Sequence, residues 1–106
     1  MSSNFTKQTI PIFLFQSLVH IPNWLISVPE SKLSYAAKIV YGFMAAKSDS
    51  VGTCRINELI FKEEIGITYK NLMKALNELI KENLIKQSSE YEYMFFDHKW
   101  MSGKYD

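Results

Sequence analysis

The residues of this chain that could do acid–base, nucleophilic or metal chemistry are few and scattered. Glu63 and Glu64 are neighbouring carboxylates, but adjacent side chains on a helix point about 100° apart and cannot share one substrate proton. His20 and His98 are far apart in the sequence, and no Cys–His spacing typical of zinc accompanies them. Cys54 is the single cysteine, which indicates a small buried residue in a reducing compartment. The sequence therefore predicts no enzyme, no metal site and no cofactor.

A different kind of chemistry is offered by residues 68–82, which carry the strongest helical periodicity in the chain. Five apolar residues follow the i, i+3, i+4, i+7, i+8 spacing of a buried stripe: Leu72, Ala75, Leu76, Leu79 and Ile80. The opposite face carries Lys70, Lys74, Asn77 and Lys81, with Tyr69 and Met73 along one edge. Lysines on such a face can meet phosphates or guanine, and Asn71 or Asn77 can pair with adenine.

The elements that position this face can be read from caps and turn residues. A helix begins after Asn57 and ends at Gly66, and Thr68 then caps the helix described above. Upstream, Ser31 or Ser34 caps a core-facing helix that runs to about residue 47. Residues 53–55 are predicted to form a short strand, and residues 84–87 and 91–96 a β-hairpin.

The ends of the chain differ in character from the middle. Residues 1–20 form an apolar arm. Pro11 and Pro22 limit any regular element between them, which leaves strand and short helix open as alternatives. We expect the domain to span residues 21–97 and a tail to follow over 98–106. The apolar run of the arm is too short to cross a bilayer, and no signal peptide precedes it, so we expect a cytoplasmic protein without membrane contact.

Residues 21–96 resemble the winged helix-turn-helix domains of plasmid and phage replication initiators and related regulators. The resemblance is carried by the segments IPNWL (21–25), AKIVY (37–41), EEIGIT (63–68), ALNEL (75–79) and LI (84–85). It implies a mainly α fold with a small β-hairpin wing. It also implies that the helix over residues 68–82 is a recognition helix that enters the major groove of double-stranded DNA, in control of replication or transcription.

The resemblance and the helical wheel together define a candidate DNA-binding set: Thr68, Tyr69, Lys70, Asn71, Met73, Lys74, Asn77 and Lys81. Residues 57–83 hold four lysines and five glutamates, and the net charge of the whole chain is only +1. We therefore expect a homodimer, because two recognition helices double the contacts that a nearly neutral protomer can make.

The alternative function is a protein-interaction module that uses the winged-helix fold to dock on or inhibit a partner protein without binding DNA. The chain holds more apolar side chains than one small core obviously needs, and exposed apolar patches often mark interfaces. The residues predicted for an interface, with a second copy or with another protein, are Phe13, Phe15, Phe61, Ile80 and Trp100.

Overall fold

A computed structural model describes residues 9–96 of the chain. These residues form four helices and two sheets with five strands, so that 43% of them are helical and 27% lie in strands. The fold class is therefore α+β, and the prediction of a mainly α winged helix-turn-helix fold is wrong. The difference arises mainly in the N-terminal arm, where an additional two-stranded sheet forms.

The described part of the arm continues to Pro22 as an antiparallel hairpin of β1 (Thr9–Leu14) and β2 (Ser17–Pro22), joined by a two-residue turn. Pro11 cannot donate to a ladder, and β1 is an edge strand, which is where a sheet tolerates proline. The inward side chains Val19 and Ile21 join the core of the molecule. The boundary predicted between residues 20 and 21 thus falls within β2.

The central helix is α2 (Tyr35–Lys47), which follows the short α1 (Asn23–Ile26). Of the two predicted caps, Ser31 and Ser34, it is Ser34 that caps α2, because its Oγ accepts a hydrogen bond from the N–H of Ala37. The backbone of α2 lies so close to β2 that a Cβ added to Gly42 would lie 2.8 Å from the carbonyl oxygen of His20. Only glycine allows this approach.

Lys38 is buried in α2 with 4% of its surface exposed. Its ammonium donates hydrogen bonds to the carbonyl oxygens of Ile26 and Val28, at the end of α1 and just beyond it. These bonds satisfy a charge that would otherwise be costly to bury, and they hold the end of α1 against α2.

The two helices predicted over residues 57–82 are confirmed as α3 (Glu58–Ile65) and α4 (Tyr69–Lys81). The Oδ1 atom of Asn57 accepts hydrogen bonds from the N–H groups of Leu59 and Ile60, and Thr68 Oγ1 accepts one from Asn71 N–H. Gly66 ends α3 in the left-handed region, with φ of 72°. Caps and corner are therefore those that the sequence predicts.

The second sheet has the antiparallel order β3-β5-β4, formed by β3 (Thr53–Arg55), β4 (Ile85–Ser89) and β5 (Glu92–Phe95). Tyr93 and Phe95 of β5 point inwards and are buried, and the ring of Phe95 meets that of Tyr41 edge-to-face with centroids 4.8 Å apart. The sheet thereby closes the core against α2.

One contact joins the N-terminal hairpin to the corner between α3 and α4. A Cβ added to Gly66 would lie 2.9 Å from Cζ of Phe15, so the Phe15 ring lies directly over the glycine. The N–H of Gln16 also donates a hydrogen bond to the carbonyl oxygen of Glu64, at 3.2 Å. Phe15 itself has φ of 39°, which is unusual for an aromatic residue and marks a turn held in place by these contacts.

We expect Gly66→Ala to destabilise the fold through two separable effects. The left-handed conformation costs a non-glycine residue about 1–2 kcal/mol, and the new methyl group must also displace the Phe15 ring. Urea unfolding of wild type, Gly66→Ala, Phe15→Ala and the double variant measures the coupling. The cost of Gly66→Ala should be smaller when Phe15 is already alanine. Equal costs in both backgrounds would show that the ring does not restrict this glycine.

Candidate nucleic-acid interface

The candidate interface is the exposed side of α4, and its position follows from the opposite side of the same helix. Leu72, Ala75, Leu76 and Leu79 are buried in the core. Their burial fixes the rotation of the helix about its axis, so the polar stripe faces outwards. Seven of the eight residues in the candidate DNA-binding set are exposed: Thr68, Tyr69, Lys70, Asn71, Lys74, Asn77 and Lys81. Their exposure agrees with the helical wheel, and their role remains a prediction.

The exposed set carries three lysines and no acidic residue. The first turn of α4 also lacks acidic residues. Glu78, which counts against these lysines in the sequence, is half-buried and is used elsewhere: its Oε1 accepts a hydrogen bond of 2.8 Å from the backbone N–H of Ser34. The carboxylate thereby helps to cap α2, where an anion is favourable. The net charge over residues 57–83 hence understates how positive this one face is.

Three other members of the predicted site sets are placed differently from the exposed ones. Met73 is half-buried against the core, as is Ile80. Phe61 is only 2% exposed, and its ring packs edge-to-face on Phe43 with centroids 4.9 Å apart. The prediction that Phe61 is an interface residue is therefore wrong, because its side chain is part of the core. Trp100 lies outside the described residues.

The β4–β5 hairpin contributes acidic as well as aromatic side chains near this part of the surface. Glu92 Oε2 lies 3.6 Å from a guanidinium nitrogen of Arg55, across the β3–β5 pair. Burial, and to a smaller extent the neighbouring Tyr69, raise the pKa of Tyr93. Tyr91, at the turn of the hairpin, is 56% exposed. Part of the acidic charge of the hairpin is thus paired within the sheet.

The structure identifies two features that the sequence did not. The first is the tertiary cap of α2 by Glu78, which no local signal predicts because its partner is 44 residues away. The second is a groove of about 580 Å³ lined by Phe15, Gln16, Leu59, Lys62 and Glu63. The i, i+3, i+4 spacing of its three α3 residues could have indicated one helical stripe, but not that the N-terminal hairpin lies beside it.

Other kinds of site find no support in the described part of the chain. No group of three or more His, Cys, Asp or Glu side chains within residues 9–96 could hold a metal ion. In the same range, no helix is both long enough and apolar enough to cross a membrane. Cys54 is fully buried, and this burial raises the pKa of its thiol to about 11. The thiol therefore stays protonated at neutral pH and is a poor nucleophile.

Comparison of the chain with protein-family models, with curated proteins and with solved structures finds no match. The geometry and charge of the surfaces described above are therefore the only guides to what the chain binds.

Cys54 makes the stability of the fold depend on pH in alkaline solution. The unfolded thiol ionises near its ordinary pKa of 9.0, whereas the folded one holds its proton to about 11. The folded state therefore binds this proton more tightly, and the stabilisation is lost as the pH rises from about 9 to 11. The loss attributable to this thiol is on the order of 2 kcal/mol.

Urea unfolding of wild type and Cys54→Ala at pH 8 and at higher pH tests this dependence. Tyrosines and lysines also titrate in this range, but they are common to both proteins. We expect the free energy of unfolding to fall more steeply with pH in wild type than in Cys54→Ala. Parallel curves would contradict the assignment of the pH dependence to the buried thiol.

Proposed function

We propose that the chain is a sequence-specific DNA-binding protein that places α4 in the major groove of duplex DNA, as a pair of copies. The resemblance of residues 21–96 to plasmid and phage initiators and regulators suggests control of replication or transcription, in the cytoplasm where such DNA is found. The observation that carries the proposal is the exposed face of α4, on which cationic and amide side chains share one stripe, while the Glu78 carboxylate of the same helix is half-buried and bonded to the N–H of Ser34.

The spacing of these side chains suits a helix that lies in a groove. Lys70, Lys74, Asn77 and Lys81 follow intervals of four, three and four residues, which keeps them on one stripe of α4. The 13-residue helix is about 20 Å long, and the major groove is about 12 Å wide and admits an α-helix. One helix can therefore bring lysines to the phosphates while an asparagine reaches a base edge.

The corner before α4 supports this use of the helix. α3 and α4 are joined by only three residues between Ile65 and Tyr69, and both sides of the corner are capped. Gly66 is further covered by the Phe15 ring. A helix held in this way presents its N-terminal residues in a fixed orientation, which base recognition requires because its hydrogen bonds are directional.

The charge of a single copy argues for two copies on the DNA. Three lysines on α4 neutralise few phosphates, and the whole chain has a net charge of only +1. Affinity for duplex DNA rises with the number of phosphates neutralised. Two copies on adjacent half-sites double that number and also make the recognised sequence longer.

Docking on a partner protein without DNA is the second candidate function. The observation that favours it is the cluster of exposed apolar side chains away from α4, in which Phe13 is 82% and Leu59 is 59% exposed. The two functions differ in the surface that they use. Removing charge from α4 should impair only DNA binding.

We expect the double variant Lys70→Ala/Lys74→Ala to bind duplex DNA more weakly, because two phosphate contacts are lost. The slope of log K against log salt concentration should become shallower by about 2. The measurement is a titration of labelled duplexes, taken from the DNA that flanks the coding region and from unrelated sequence, at several salt concentrations.

The matched control is Lys32→Ala/Lys47→Ala, which removes the same charge from lysines outside α4. This control should keep most of the affinity and the salt slope of wild type. If both double variants lose affinity equally, the binding depends on overall charge and the assignment to α4 fails. If wild type binds no duplex, the proposed function itself is wrong.

A further inference from the structure

The N-terminal hairpin presents an outer face that no described residue covers. Phe13 and Leu18 are paired across β1 and β2 and are 82% and 43% exposed. Pro11 lies on the same face, one pleat further along, and is also exposed. The opposite face of the hairpin packs on the core, and of its apolar residues only Ile10 is exposed, at 39%. We call Pro11, Phe13 and Leu18 the outer hairpin face.

Beside this face lies a complementary hollow, the groove between the hairpin turn and α3. Its apolar walls are Phe15, which is 80% exposed, and Leu59, which is 59% exposed. Lys62 and Glu63 stand at its rim and are both exposed. The groove is therefore an apolar hollow with one cation and one anion at its edge. Its wall residue Phe15 follows the projecting Phe13 by only two residues in the sequence.

We infer that the outer hairpin face and this groove together bind a second copy of the chain. Phe13 of each copy enters the groove of the other, so that the two contacts are related by a two-fold axis. Phe13 and the groove belong to the same patch, so one two-fold axis satisfies both contacts and the assembly closes at two copies. If the groove lay elsewhere on the molecule, each copy would bind the next one and open chains would form.

Charge favours the second copy over an unlike partner. Residues 9–22 contain no Asp, Glu, Lys or Arg, so two outer hairpin faces meet without repulsion. At the rim, a two-fold axis that brings Lys62 of one copy to Glu63 of the other also brings Glu63 of the first to Lys62 of the second, because each contact in such an interface occurs twice. The patch is thus complementary to itself in charge as well as in shape.

The two phenylalanines alone supply about half of the area that such a pair needs. With about 200 Å² per aromatic side chain, Phe13 and Phe15, which are 82% and 80% exposed, expose roughly 320 Å² per copy. Two copies therefore bring together roughly 640 Å² of phenylalanine surface, about half of the 1,200 Å² at which specific interfaces begin. Leu18, Leu59 and the polar rim contribute to the remainder.

This inference rests on the proposed function, because the DNA-binding argument requires two copies, and it assigns the surface that joins them. The test is sedimentation equilibrium of the full chain without DNA. Wild type should approach twice the monomer mass of 12.3 kDa. Phe13→Glu should raise the dissociation constant of the pair roughly 100-fold, as expected when a central aromatic anchor is lost. Phe13→Leu, which keeps an apolar projection, should raise it much less.

Val51→Glu is the matched control, because Val51 is 64% exposed and lies outside the hairpin and the groove. It should associate like wild type. The rim supplies a second test: Lys62→Glu should weaken association, and the swap Lys62→Glu/Glu63→Lys should restore it. Circular dichroism checks that each variant is folded.

A wild type that stays monomeric at all concentrations overturns the inference, as does a Phe13→Glu variant that associates like wild type. A monomeric wild type whose Phe13 is required for binding a different purified protein would assign the patch to that partner instead. Because mass is measured without DNA, a pair that binds no duplex contradicts only the proposed function. A monomer that binds duplex through Lys70 and Lys74 contradicts only the inference drawn here.

Discussion

The burial of α2 on two sides is the constraint on which the rest of the structure depends. β2 approaches one side so closely that residue 42 must be glycine, and α4 packs against the helix as well. Tyr41 and Phe43 extend the buried surface to Phe95 and Phe61 through edge-to-face contacts. Because β2 and α4 bury their inner faces against α2, only their outer faces remain accessible for binding. The polar face of α4 and the outer hairpin face are exposed for this reason.

The same packing explains why a charged residue can lie inside a small core. Lys38 is on the enclosed helix, yet its ammonium reaches two carbonyl oxygens near the end of α1. Glu78 of α4 makes a similar contact with the opposite charge, because its carboxylate accepts a hydrogen bond from the N–H of Ser34, the N-cap of α2. Both side chains thus form polar contacts between elements that apolar burial has already brought together. Lys38 is buried, and the Glu78 carboxylate is half-buried and hydrogen-bonded, so the charge of the exposed faces differs from that of the sequence segments that contain them.

Local signals in the sequence were sufficient to predict the helices and the corner. Asn57, Gly66 and Thr68 act through hydrogen bonds and backbone conformations within a few residues, and the structure shows all three in the predicted positions. The orientation of α4 was also predictable, because a buried stripe at helical spacing determines which face is exposed. These are properties of short segments, which need no knowledge of the rest of the chain.

The features that could not be predicted depend on contacts between distant segments. Residues 9–22 have neither a helical stripe nor strict alternation, and only the pairing with β2, which itself packs on α2, makes β1 a strand. The additional β1–β2 sheet is what made the predicted fold class wrong. The placement of Phe61 was likewise not predictable, because an apolar residue is compatible with an interface as well as with a core. Only the contact of its ring with Phe43 shows that it belongs to the core.

The contact between Phe15 and Gly66 links the two proposed surfaces within one rigid arrangement. The Phe15 ring covers the glycine that begins the corner before α4, and the same ring forms a wall of the groove proposed to receive a second copy. A second copy seated there would therefore lie close to the corner from which α4 begins. Because α4 already has a fixed orientation within each copy, pairing at this groove would also fix how the two α4 helices lie relative to each other, and the spacing of the two half-sites on the DNA follows from that geometry. In this arrangement the second copy would supply more than additional lysines, since it would also set the separation of the two half-sites.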